Sequence, residues 1–402
     1  MDTDKAPQDA ISIYDRLKPL RTKAEVQASN EVVHVYVVEI PSKSTSALLK
    51  IVKTAIPSYD VTNLQHLRRL AKEEFLPPHL KLNTPTDIDT LHLLICPTAA
   101  ITVAELQAAF TLAANLFEPL QSSIRTVTVP FHAPTSAAQA AEWTDKYWPI
   151  VYKNTNPHGP HPALIARAQK ELAANGDAQV YMRLAEDVAA QAVEFDCGER
   201  IGAVVVERTS KAKNGTRVVA VAGDGRYTGM VNSSGHRAPG EKGNVLAHPV
   251  LRVIAMVAAK RRAEEESSVS GDDDSTSDMT DIAASTVLAD MPLTPLEKIY
   301  SEQSDNLEPH GYLCLDLELY LTHEPCVMCS MAILHSRFGR VVFGQLMPKT
   351  GALSAEADSL GYGLFWRREQ LNWKFLCWEL KPSVPDDTPS PRAGTVDSDL
   401  QV

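Results

Sequence analysis

Two helix starts that carry metal donors constrain this chain more than any other feature. The first reads Ala247-His248-Pro249-Val250, and the second His323-Glu324-Pro325-Cys326-Val327-Met328-Cys329. In both, a proline sits at or beside the first helical position, where a missing N–H is harmless. Cys326 and Cys329 are three residues apart and therefore share one helix face. A helix N-terminus favours thiolate, the form that binds metal. Two thiolates and one imidazole fill three corners of a tetrahedral zinc site and leave the fourth open. The competing reading is a buried histidine beside two core thiols, since cysteine is commonly buried. A lone Cys-x-x-Cys or His-Pro is weak evidence, but two such segments with proline in the same place favour one Zn2+ held by His248, Cys326 and Cys329. His323 reads as a strand-end residue. Cys96, Cys197, Cys314 and Cys377 are isolated or sit in apolar strands and receive no role. Six cysteines in 402 residues are too few for a disulfide scaffold and point to a reducing compartment.

Hydrophobic patterning divides the chain into two folded parts. Residues 1–30 read as loosely ordered. Residues 31–130 contain strands at Glu31–Ile40, Thr90–Cys96 and Ile124–Val129, with helical spacing at Ser44–Thr54 and Val103–Phe117. That alternation predicts a small α+β, ferredoxin-like N-terminal domain. Residues 131–162 read as a connector rich in Pro, Ala, His and Asn, with Trp143, Tyr147, Trp148 and Tyr152 packed onto one domain as buried area. Residues 163–380 alternate helices and strands: helices at 163–174 and 181–193 broken at Asn175-Gly176, a hairpin pairing 201–206 with 218–222 through Asn214-Gly215, a helix over 246–266, a strand over 312–322, a helix over 325–336, and strands over 340–344 and 371–380. This order predicts a three-layer α/β/α domain.

The formal net charge of −11 argues against a strongly basic nucleic-acid binder, but its location changes that reading. Residues 264–290 hold nine acidic and no basic side chains, and residues 381–402 hold four acidic and two basic. These two segments together account for the whole net charge. Both are poor in aromatics and are read as a disordered insertion and a disordered tail, because they cannot bury enough apolar surface to offset ordering. The rest of the chain is near neutral, which permits a basic face. No apolar run approaches the roughly 18 residues of a transmembrane helix, so no membrane partner is expected. The opening Met1-Asp2-Thr3-Asp4 lacks the features of a secretory or transit leader.

The layout of a histidine helix followed by Pro-Cys-x-x-Cys is the signature of zinc-dependent base deaminases. Together with the element order, it resembles the cytidine deaminase-like superfamily over roughly residues 180–380. Within that superfamily, the stretch from Thr322 to Ala332 is similar to the tRNA adenosine deaminases. One position departs from their pattern. The family's acid/base glutamate lies two residues after the histidine, where this chain has Val250. Deamination needs a side chain that passes protons, worth about 10²–10⁴-fold in rate, and valine cannot. His-Pro-Val, the added N-terminal domain and Tyr147-Trp148-Pro149 resemble the non-catalytic subunits of eukaryotic heterodimeric tRNA adenosine deaminases. Near the end the likeness departs again: Leu371-Asn372-Trp373-Lys374-Phe375 stands where relatives tend to have Leu-Asn-His-His-Phe.

The resemblance implies a chain without catalysis of its own. It implies a catalytic deaminase subunit as partner, tRNA as ligand, inosine at the anticodon wobble position as product of the pair, and residence in cytoplasm and nucleus. Candidate phosphate contacts are Lys211, Lys213 and Arg217 around the hairpin turn, and Lys50 and Lys53 on the first N-terminal helix. For any one of these cations, a solvated surface group is the plainer reading. Two rival functions remain open at this point. One is an active zinc-dependent deaminase with an unusual proton shuttle. The other is a zinc-stabilised RNA-binding scaffold without a deaminase partner.

Overall fold

The computed structural model describes residues 12–55, 64–81, 90–111, 124–209, 211–212, 215–228, 243–269, 291–303, 306–308, 311–367, 369–383 and 396–402. The chain forms two units, one of residues 24–164 and one of residues 1–23 with 165–402.

The smaller unit is built on β2 (Val32–Pro41), β3 (Leu70–Ala71), β4 (Thr90–Pro97) and β5 (Arg125–Pro130), with α3 (Thr45–Ala55) and α4 (Val103–Thr111). The sheet order is β3-β4-β2-β5, antiparallel throughout. That is the ferredoxin-like β-α-β-β-α-β arrangement, completed by the short β3 that the sequence did not reveal. Tyr36, Val38, Ile40, Leu93 and Ile95 alternate onto the face covered by Leu48, Val52, Leu106 and Phe110 of the two helices. The opposite face packs Val35, Val37, Val127 and Val129 against Leu64, Leu67, Leu76 and Trp148.

The stretch 131–162 is therefore more than a connector. Ala137–Lys146 is a helix, α5, capped by Ser136, whose hydroxyl accepts from the Gln139 N–H. Trp148 is fully buried, and its Nε1 donates to the Arg68 carbonyl at 2.7 Å. The buried indole explains the aromatic cluster: it closes the second face of the sheet.

The larger unit has a six-stranded sheet of order β1-β10-β9-β8-β6-β7. Its strands are β1 (Leu17–Pro19), β6 (Gly202–Arg208), β7 (Thr216–Gly223), β8 (Glu318–His323), β9 (Arg340–Gln345) and β10 (Leu376–Leu380). β8, β9 and β10 run parallel, while β6 with β7 form the hairpin and β6 also pairs antiparallel with β8. On one face α6 (Pro162–Ala173) and α7 (Asp177–Glu194) contribute Leu172, Met182, Ala185 and Val188 to a core with Val204, Val221, Tyr320 and Trp378. On the other, α8 (Pro249–Val269) and α10 (Val327–His335), separated in sequence by the short α9 (Pro295–Ser301), contribute Val253, Val257, Cys329 and Ile333 to a core with Ala203, Leu319 and Val341. The result is a three-layer α/β/α domain. The break between α6 and α7 falls at Asn175 and Gly176, both with positive φ (55° and 73°).

Three readings of order need correction. Residues 13–30 are not loose: α1 (Ile13–Arg16), β1 and α2 (Lys23–Asn30) are regular, and β1 pairs with β10. The acidic insertion begins inside a helix, because α8 continues to Val269 through Glu264–Glu266, which are good helix formers; residues 270–290 lie outside the described residues. The tail is ordered at 396–402, where Val396 and Val402 are buried with Ile201 and Met347.

Candidate functional site

The sheet brings two helix starts to one place. β8 ends at His323, and Glu324-Pro325-Cys326 lead into α10, with Cys326 at its N-cap. His248 immediately precedes α8, and its carbonyl accepts from the Arg252 N–H. His248, Cys326 and Cys329 are all buried, with donor atoms within 4.8 Å of one another. The His248 Nδ1 lies 3.4 Å from the Cys329 Sγ and 3.9 Å from the Cys326 Sγ. Bond lengths of about 2.3 Å for Zn–S and 2.0 Å for Zn–N set tetrahedral N···S separations near 3.5 Å, so the donor set fits a zinc ion. The two thiols are shifted in opposite directions: Cys326 is pushed down to about 4, first by its hydrogen bond with Cys329, with burial opposing. Cys329 is raised well above the usual range by that same bond and by burial. The remaining thiols are different in kind. Burial pushes Cys96 up to about 11 and Cys314 up to about 12, and both stay inert thiols of the core.

Val250 is 3% exposed and belongs to the apolar core that also holds Cys326 and Cys329. Three buried carboxylates among the described residues are committed to hydrogen bonds of their own. Glu324, fully buried, accepts from the Met347 N–H at 3.1 Å, the Leu353 N–H at 2.9 Å and the Ser354 N–H at 2.6 Å. Burial raises its pKa, and the three N–H groups pull the other way. Asp224 accepts from the backbone N–H and the Nε of Arg226. Glu297 binds Arg252, the Gly223 N–H and the Leu293 N–H. Among the described residues, each of these three groups holds a loop or a helix.

Glu324 was legible only as part of the motif. Its role as a buttress was not, because its partners lie more than twenty residues away in the loop after β9. That loop flanks the donors directly: the Ala352 N–H donates to the Pro325 carbonyl at 3.0 Å, and Cys326 bridges Gly351. The segment 396–402 also reaches the site. The Cys326 N–H donates to the Val402 carbonyl at 2.6 Å, Arg226 Nη1 donates to the Gln401 carbonyl, and Lys349 pairs with Asp399 at 2.6 Å. Nothing in its polar composition signals that placement.

The candidate phosphate contacts fare unequally. Lys211 is ion-paired with Glu308 at 2.7 Å, and Arg217 with Glu207 at 2.6 Å and Glu308 at 3.5 Å. Lys213 lies outside the described residues. Lys50 and Lys53 are exposed on α3. The Trp373-Lys374 departure is structural in part: Trp373 Nε1 donates to the Phe338 carbonyl and its ring lies 5.0 Å from the Arg337 guanidinium, while Lys374 lies 4.8 Å from the Trp366 ring.

Residues 176–345 match the family model of the cytidine and deoxycytidylate deaminase zinc-binding region, and the three-layer sheet with its His-Cys-Cys cluster lies within and around that match. Within that class the chain is similar to tRNA-specific adenosine deaminase subunits of the Tad3 type. It is 49% identical over 67 residues to subunit tad3 of Schizosaccharomyces pombe, covering 17% of this chain and 19% of that one. It is 61% identical over 46 residues to subunit TAD3 of Saccharomyces cerevisiae, covering 11% and 14%. It is 58% identical over 33 residues to the probable inactive tRNA-specific adenosine deaminase-like protein 3 of Danio rerio, covering 8% and 10%. The matched segments thus span less than a fifth of each relative.

Proposed function

We propose that this chain is the non-catalytic subunit of a heterodimeric tRNA adenosine deaminase that forms inosine at the anticodon wobble position. The observation that carries the reading is a complete His-Cys-Cys donor set with buried Val250 where an acid/base carboxylate would have to stand. His248, Cys326 and Cys329 would hold one zinc ion. Zinc bound there contributes binding energy to folding and ties α8 to α10. Glu324 sets the loop beside the donors, and the neighbouring buried carboxylates act as anchors. Adenosine deamination is then the work of a partner subunit, with this chain supplying fold, interface and tRNA contacts. The exposed Lys50 and Lys53 are the better phosphate candidates, since Lys211 and Arg217 would first have to leave their ion pairs.

The similarity to Tad3-type subunits supports this reading over a deaminase with an alternative proton shuttle. That rival needs a free carboxylate, and Glu324 has both oxygens occupied by backbone N–H donors. The test is affinity purification of the full chain from its own cells, followed by an inosine assay on tRNA carrying adenosine at the wobble position. A co-purifying deaminase subunit and inosine that depends on it are expected. Robust inosine from the chain without that subunit would overturn the reading. Persistent tRNA binding with no deaminase subunit captured would favour the scaffold.

A further inference from the structure

The ferredoxin-like unit carries a cavity of about 380 Å³ that the deaminase site does not use. Its walls include Gln65, His66, Phe131, His132, Lys153 and Thr155. The size lies in the range of about 300–1,000 Å³ typical of small-ligand sites. The walls are fixed by backbone pairing. Phe131 directly follows β5, and its N–H donates to the Glu31 carbonyl at 3.0 Å. The Val151 N–H donates to the His66 carbonyl at 2.7 Å, which ties the segment leading to Lys153 to another part of the lining.

Three rings form a ladder beside the opening. Phe131 meets His132 edge-on at 4.9 Å, and His132 meets His158 edge-on at 5.2 Å. The His132 Nε2 is 2.8 Å from a Glu31 carboxylate oxygen, which fixes that ring. Phe131 remains 36% exposed. Lys153 is exposed on the same rim. A partly exposed aromatic ring and an exposed lysine lining one cavity match the recurring way proteins take unpaired nucleotides, base on ring and phosphate on cation. Glu31 engages His132, so the phosphate end falls to Lys153.

We infer that this cavity receives one unpaired nucleotide of RNA, its base against Phe131 and its phosphate on Lys153. The inference rests on the tRNA-binding part of the proposed function. It adds a site that the sequence did not suggest, since Phe131-His132 reads as the start of a linker.

The test uses the full chain with its co-purified partner and a labelled tRNA transcript, titrated by fluorescence anisotropy at several salt concentrations. Lys153→Ala is expected to weaken binding several-fold and to reduce the slope of log K against log salt by about 0.7–0.9, the share of one phosphate. Phe131→Ala is expected to weaken binding by roughly 5- to 150-fold, the loss of one stacked base, while Phe131→Tyr keeps parental affinity. Zinc content and melting temperature report that each variant is folded. Parental affinity and salt slope in Lys153→Ala and Phe131→Ala would overturn the inference. Millimolar AMP separates the sources of nucleotide: AMP binding lost in both variants, with tRNA affinity unchanged, would assign the cavity to a free nucleotide and overturn the RNA assignment. If the parent complex forms inosine but the variants bind normally, only the cavity is refuted. If the parent binds no tRNA, it is the proposed function that fails.

Discussion

Replacing Glu324 by glutamine removes one oxygen and its charge while keeping the shape. In the parent, Oε1 accepts from Leu353 and Ser354 and Oε2 accepts from Met347, all within a fully buried pocket. A glutamine oriented to keep the two bonds at Oε1 turns its NH₂ toward the Met347 N–H, donor against donor. Losing one hydrogen bond to a charged group costs about 1.5–3 kcal/mol, and stranding a buried donor costs about 1–3 kcal/mol. A net loss of about 2.5–6 kcal/mol follows. At about 2–4 °C per kcal/mol for a domain of this size, Glu324→Gln should melt roughly 5–24 °C below the parent. The same loop presses on Pro325 and Cys326, so zinc should also be lost faster to a chelator. Gly351→Ala probes the pocket from the other side, because a Cβ there would overlap the Glu324 carboxylate; it should mimic the lower melting temperature. Scanning calorimetry with a chelator-release assay measures both effects. Parental melting and parental zinc retention in Glu324→Gln would refute the buttress.

Other outcomes follow from the same geometry. Cys329→Ala should abolish zinc binding, and a chelator should then lower the melting temperature of the parent but not of the variant. Arg252→Met leaves the Glu297 charge buried without its cation and should destabilise by about 3–5 kcal/mol, while Arg252→Met with Glu297→Gln, which removes the stranded charge but keeps an acceptor for a backbone N–H, should recover part of that loss in denaturant titrations. Burial holds the His323 pKa down at about 4, below the usual 6.5, so its contribution to stability is complete above pH 6.5 and is lost as pH falls toward 4. That contribution is about 3 kcal/mol, and His323→Gln should show a flatter stability profile between pH 6.5 and 4.

Much of the fold was legible because its central strands are β-branched runs bounded by turns and prolines. The grouping of His248, Cys326 and Cys329 was legible because each segment carries a proline beside a helix start, a local signal that needs no knowledge of the partner segment. The misplaced boundaries have identifiable causes. The stretch before β8 reads as continuous strand from Tyr312, but Leu313 and Asp316 take positive φ (48° and 60°), so the strand begins only at Glu318. β1 has three residues, Leu-Lys-Pro, and exists only through pairing with a strand at the far end of the chain. Local periodicity carries no trace of such a partner. The segment 396–402 is polar and short, yet Val402, Gln401 and Leu400 place their carbonyls against Cys326, Arg226 and Thr350. Composition reads the cost of ordering such a segment, and long-range hydrogen bonds are what offset it. The buttressing role of Glu324 was hidden for the same reason, since its acceptors meet donors supplied by a distant loop.

The central claim is that Val250 leaves the His248-Cys326-Cys329 cluster without a proton carrier at the position two residues after the histidine. Its most direct test is inosine formation under single-turnover conditions, with the zinc-loaded full chain in excess over tRNA carrying adenosine at the wobble position. The account predicts no inosine from the chain alone and inosine once the catalytic subunit is added. Inosine formed by the chain alone, and lost in Cys329→Ala, would contradict it.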